Sequence, residues 1–137
     1  MKELDIDARV DNLNKVLEFT DSELEELGCS IKVQTQIDVA VEEIFVNIAS
    51  YAYTDGTGTA NIRIEYSEED STLSITFKDR GIPYNPLEKE DPDVTLSAEE
   101  RGIGGLGIYM VKKSMDDVIY RYENGYNTLT LVKKLSI

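Results

Sequence analysis

The chain has 137 residues, enough for one domain with a real hydrophobic core and too few for two ordinary ones. Hydrophobic residues at 41% and charged residues at 30% are globular composition and exclude a disordered or fibrous chain. With 27 acidic against 14 basic residues, the formal net charge of -13 opposes general binding to nucleic acid or anionic lipid.

Histidine is absent, which removes the Ser-His-Asp triad, the Cys-His dyad, His-ligated zinc and phosphohistidine. The single cysteine, Cys29, permits no internal disulfide and no paired-cysteine metal site. It reads as a small buried apolar residue. The N-terminal stretch MKELDIDARVD carries acids where a signal peptide needs an apolar run, and no later run approaches the roughly 20 residues of a membrane span. A cytoplasmic protein without a membrane contact is expected. The acidity serves solubility, or forms a surface that attracts a basic partner.

In chain order, Leu4 and Ile6 alternate with acids and predict a short strand. From Val10 to Leu27 apolar residues recur at helical spacing, with Gly28 as a stop and a break near Thr20 left open. A second helix is predicted over Val33 to Tyr51. Its apolar residues Ile37, Val41, Ile44 and Ile48 form one stripe while Val39 and Val46 lie opposite, so burial on several sides is expected. The turn cluster TDGTG (54–58) leads to two alternating strands, Ala60 to Tyr66 and Leu73 to Phe77, which read as an antiparallel hairpin.

Between Asp79 and Arg101 the periodicity disappears, and all three prolines of the chain fall inside this segment. A loop of this length is a lid, a binding loop or a disordered insertion. After it come a glycine run, a helix through Met115, and strands Val118 to Tyr122 and Thr128 to Val132 around Asn124-Gly125. The predicted fold is a two-layer α/β sandwich: a mixed, mostly antiparallel sheet with three helices on one face, in one domain spanning 1–137 with a lid at about 82–101.

Three groups carry candidate chemistry. Gly102, Gly104, Gly105 and Gly107 open a helix, where free backbone N–H groups and the helix dipole favour an anion. A dinucleotide fold is rejected, because no strand precedes these glycines and 30 residues remain after Gly107. A P-loop is rejected because Ile108 follows Gly107 where Lys is needed. On its own such a run is a hinge as readily as a phosphate cradle. Glu43 and Asn47, four apart on one helix face, fit a base or water-positioning carboxylate and an oxygen ligand for Mg²⁺, or else a satisfied acid and a bridging amide. Asp79 fits an acceptor for an exocyclic amine, or a turn residue.

The order of these groups resembles the N box and the two G boxes of the GHKL, or Bergerat-fold, ATP-binding superfamily, which includes gyrase, histidine kinases and MutL. Glu43-xxx-Asn47, then Asp79-Arg-Gly81, then the lid and Gly102-x-Gly-Gly-x-Gly107 carry the likeness from about Val39 to Lys134. The segments DRGIPYNP (79–86), GIGGLGIYMVKKSMD (102–116) and NTLTLVKKL (127–135) are similar to the short, stand-alone anti-sigma-factor serine-protein kinases of bacteria.

The resemblance implies ATP and Mg²⁺ as cofactors. Glu43 would be the general base for a partner's serine, Asn47 the Mg²⁺ ligand, and Asp79 the acceptor for the adenine amine, with Gly81 allowing close approach. Gly102, Gly104, Gly105 and Gly107 would cradle the phosphates, Arg101 would approach the γ-phosphate or the partner, and Thr128 would lie near adenine. The implied function is a serine/threonine kinase that phosphorylates a STAS-type anti-anti-sigma protein and sequesters a sigma factor. The alternative is a non-catalytic, nucleotide-gated binding module. A homodimer is likewise implied. Two departures stand out: Tyr51 replaces a His found in many N boxes, and the first G box reads DxGxP in place of DxGxG.

Overall fold

Alternating apolar residues build each strand, and a computed structural model describes residues 1–53, 58–88 and 106–135. Strand β1 (Lys2–Asp7) passes through a 3-10 turn at Val10–Asn12 into helix α1 (Leu13–Leu27). The helix does not break at Thr20, whose hydroxyl donates to the Val16 carbonyl at 2.9 Å and so stays within the helical ladder. Gly28 ends it with a φ of 72°, a left-handed conformation that glycine adopts without steric cost. Ser30 then caps helix α2 (Ile31–Asn47), its Oγ accepting the Val33 N–H at 3.2 Å.

The second helix starts two residues before the predicted boundary. At Asn47 it passes into a π-helical turn, Ile48–Ala52. Helix α2 lies between α1 and α3 (Leu106–Ser114) and packs against both. Ile37, Val41, Ile44 and Phe45 are buried, yet Val39 is 48% exposed. The expectation of burial on several sides therefore fails at Val39: one strip of the helix still faces water. Cys29 is half-buried and packs at the edge of the core.

Strands β2 (Thr59–Ser67) and β3 (Thr72–Asp79) form the first hairpin, and β4 (Asp117–Glu123) and β5 (Tyr126–Lys134) the second. Asn124 and Gly125 turn the second hairpin with φ of 55° and 82°, the left-handed pair that matches strand twist. The sheet order is β1-β2-β3-β5-β4, and every neighbouring pair is antiparallel. The α/β sandwich is thus as expected, but its sheet is antiparallel throughout and not mixed. The connections explain this. Two helices between β1 and β2 carry the chain down the sheet and back, and the single helix α3 returns it to the far end before β4.

One face of the sheet, with Ile62, Ile64, Ile75, Phe77 and Leu131 fully buried, packs on the helices. The other face is polar: Thr76 and Thr130 hydroxyls meet at 3.1 Å, and Asn61 bonds Glu3 and Asp5. Among the described residues no helix is long and apolar enough to cross a membrane. The topology also fixes where chemistry can occur: the C-terminal turn of α2, the end of β3, the start of β5 and the first turn of α3 all meet at one end of the sheet.

Candidate functional site

Glu43 and Asn47 occupy the last turn of α2, one above the other as their spacing requires. Asn47 donates through Nδ2 to Glu43 Oε1 at 3.2 Å. This bond orients the half-buried carboxylate and, among the described residues, leaves Asn47 Oδ1 without a hydrogen bond. Gly107, in the first turn of α3, lies directly against the same carboxylate; a Cβ there would collide with Glu43 Cδ and both its oxygens. Thus the glycine of the second motif and the acid of the first are neighbours.

Asp79 ends β3 at the adjoining position and is 5% exposed. Its Oδ1 accepts the Gly81 N–H and the Asn127 side-chain amide, each at 2.9 Å. Burial pushes the Asp79 carboxyl above its usual range, against the opposing pull of those two hydrogen bonds. Around it, Ile44, Ile48, Ala52, Phe77 and Leu129 supply apolar walls from α2, the π-helical turn after it and the sheet, and Ile82, Tyr84 and Pro86 add a further side. A narrow apolar slot with one acceptor at its floor suits a flat ring bearing an amine.

The turn that carries Asp79 is held tightly. Tyr53 accepts the Arg80 N–H at 2.9 Å and donates to the Thr59 carbonyl at 2.6 Å. Gly81 sits against the Ala52 backbone, where a Cβ would strike the carbonyl, and Ile82 N–H donates to that same oxygen at 2.8 Å. The close approach that Gly81 permits here is therefore to the π-helical turn after α2.

The structure brings Glu43, Asn47, Asp79, Gly81 and Gly107 together. Arg101, Gly102, Gly104 and Gly105 lie outside the described residues. Thr128 is not in the slot: it pairs with Lys78 in the β3–β5 register and lines a shallow hollow on the opposite face with Ile119, Arg121 and Thr130. The position beside Asp79 in the slot is taken by Asn127, which pairs with Asp79 and is 6% exposed. Sequence reading missed Asn127, although it shares the parity of the inward residues Leu129 and Leu131. Tyr84 was missed as well, since nothing in a loop pattern shows that its segment turns inward. Tyr51, in place of the expected His, is 57% exposed with its ring 6.3 Å from that of Tyr84.

The family model for the histidine kinase-like ATPase domain matches residues 6–133. This chain belongs to that family. Among curated relatives, the serine/threonine-protein kinase BtrW of Bordetella bronchiseptica is 26% identical over 102 residues, covering 74% of this chain and 71% of the relative. The serine-protein kinase RsbW of Listeria monocytogenes is 27% identical over 106 residues, 74% of this chain and 67% of its own. An anti-sigma F factor of Pasteuria penetrans is 29% identical over 111 residues, 80% and 74% of the two chains. The crystal structure of the RsbU and RsbW domains of Rv1364c from Mycobacterium tuberculosis superposes with a TM-score of 0.64 at 18% identity. That likeness is one of fold; it covers 98% of this chain and spans 33% of the larger one. Family and relatives together support a protein kinase of the anti-sigma type that uses ATP.

Proposed function

We propose that this chain is a single ATP-binding kinase domain that transfers the γ-phosphoryl group of Mg²⁺-bound ATP to a serine of a STAS-type anti-anti-sigma protein, and that it sequesters a sigma factor when that antagonist is absent or already phosphorylated. The observation that carries this reading is the contact between the two motifs. The Glu43 carboxylate lies against Gly107, the last glycine of the expected phosphate cradle, and is tied to Asn47 beside the slot that ends at Asp79.

In this reading the adenine ring enters the apolar slot and its amine donates to Asp79. The phosphates then run toward the first turn of α3, whose free N–H groups meet negative charge. Asn47 Oδ1 is the hard oxygen of this chain that would hold Mg²⁺. Bound there, Mg²⁺ would neutralise charge on the transferring phosphoryl group. Glu43 accepts the proton of the attacking serine hydroxyl and orients it, the positioning that phosphoryl transfer chiefly needs. Arg101 adds positive charge toward the γ-phosphate or the partner, and Gly102, Gly104 and Gly105 complete the cradle.

The test is transfer of labelled phosphate from ATP to a purified STAS-domain substrate, with Glu43→Gln alongside the wild type. Transfer should vanish in Glu43→Gln while ATP still raises its unfolding temperature. Equal kinase activity in the variant removes Glu43 from the mechanism. If the wild type binds ATP and partner but returns the partner with unchanged mass, the chain is a nucleotide-gated binding module.

A further inference from the structure

Asn127 uses its whole hydrogen-bonding capacity inside the slot. Its amide nitrogen donates to Asp79 Oδ1 at 2.9 Å and to the Ile82 carbonyl at 2.8 Å. Its oxygen accepts the Tyr84 N–H at 3.1 Å and the Tyr120 hydroxyl. With all four positions occupied, the amide has no capacity left for a ligand. Nor can it flip: a reversed amide would set its nitrogen against the Tyr84 N–H and its oxygen against a carboxylate and a carbonyl. Tyr120 on β4, Asp79 at the end of β3 and the loop backbone at Ile82 and Tyr84 are thus joined through one buried side chain.

The consequence falls on Asp79. Its Oδ1 is filled by Gly81 and Asn127, and no hydrogen bond among the described residues engages Oδ2. Two N–H donors stabilise an ionised carboxylate in a place where burial works against ionisation. An ionised carboxylate only accepts, so it welcomes an amine and rejects a carbonyl. We infer that Asn127 is the positioning and specificity residue of this slot, holding Asp79 as a fixed acceptor so that 6-amino purines are selected over 6-oxo purines. This rests on reading the slot as a purine site. The same amide anchors Ile82 and Tyr84, so it also shapes the wall against which the ring lies.

The experiment compares binding of ATP and of inosine triphosphate, which differ in the base alone, to the full chain. The wild type should favour ATP by about tenfold or more, as expected for a hydrogen bond to a charged group. Asn127→Leu should weaken ATP by a similar factor and bring the ratio of the two affinities toward one, because an unsupported Asp79 takes up a proton and can then donate to a carbonyl. Asn127→Asp should weaken ATP at pH 8, where a second carboxylate replaces the donor to Asp79, and should regain ATP affinity as the pH falls to 6. There the proton shared by the two carboxyls supplies the missing donor. A residue that merely fills space produces no such pH profile.

A folded Asn127→Leu that keeps the wild-type ratio overturns the inference, as does equal wild-type affinity for the two nucleotides. If the leucine variant fails to fold, Asn127→Asp decides, and pH-independent ATP affinity in it is the overturning result. A wild type that binds neither nucleotide defeats the purine-site reading itself, an outcome distinct from wild-type discrimination that survives in the variants.

Discussion

Gly107 sits against Glu43 so closely that a side chain there would displace the carboxylate. The clash falls on the far end of a flexible side chain, so the backbone need not move and the carboxylate itself must give way. Since Gly107 is in the first turn of α3, alanine there also favours the helix slightly. Gly107→Ala should therefore leave the unfolding temperature equal to or slightly above that of the wild type. Phosphoryl transfer at saturating ATP should nevertheless fall by about 100-fold, the usual consequence of shifting a catalytic group by an ångström. Steady-state kinetics beside a thermal melt separate the two effects, and undiminished kcat would show that the position of Glu43 does not limit the reaction.

Gly81 presents the opposite case. A methyl group there meets the Ala52 carbonyl, carbon and Cβ, which belong to the turn after α2 and cannot swing aside. The Ile82 N–H to Ala52 bond, 2.8 Å long, would open as the strands of chain separate. Gly81→Ala should lose about 2 kcal/mol of stability, within the range for overpacking a tight contact, and the unfolding midpoint should drop by several degrees. Urea denaturation of the two proteins checks this; a change of a few tenths of a kcal/mol would mean that the turn relaxes freely.

These two glycines mark what the sequence made legible. Strand parity placed Ile62, Ile75 and Phe77 on the core face, and the four-residue spacing placed Glu43 over Asn47; both follow from local geometry. The partner of each glycine depends on a contact between distant segments, which periodicity does not encode. Thr128 and Asn127 show the same limit more sharply. A shift of one residue along β5 exchanges faces, so the neighbouring Thr128 went to the polar side and Asn127 to the slot. Parity with Leu129 would have exposed a buried polar residue that had to be satisfied. Val39 fails for another reason: an apolar residue on a helix is not obliged to be buried.

Asn47 Oδ1 has no hydrogen bond among the described residues, the other end of its amide being held by Glu43. Replacing it with alanine removes that oxygen and releases the carboxylate. In the wild type, removal of Mg²⁺ with EDTA should weaken ATP binding by about tenfold or more, as the proposed role of Asn47 requires. In Asn47→Ala the affinity should be low with or without the ion. Titration calorimetry in both conditions reads this directly, and a variant that retains the full Mg²⁺ effect would assign the metal to other ligands.

Asp38 on α2 lies against Asp21 on α1, and this pair sets a pH dependence remote from the slot. Burial first, then the shared hydrogen bond and negative charge of Asp21, push the Asp38 carboxyl from 3.8 up to about 7. Gln34 donates to Asp21 Oδ1 at 3.2 Å, while Asp38 Oδ1 is buried without a partner among the described residues. The nearby Cys29 thiol is pushed up by burial and by the charge of Asp38 and Asp21. A carboxyl whose pKa is raised on folding gives the native state an extra proton, so its contribution to stability is complete below about 3.8 and is lost as the pH rises through about 7. Asparagine imitates the protonated acid at every pH and can still donate to Asp21. Asp38→Asn should therefore exceed the wild type in unfolding temperature, and by more at pH 8 than at pH 5. Melts at the two pH values decide the matter: a difference that stays constant, or that grows toward low pH, would show that the pair does not share a proton in the folded chain.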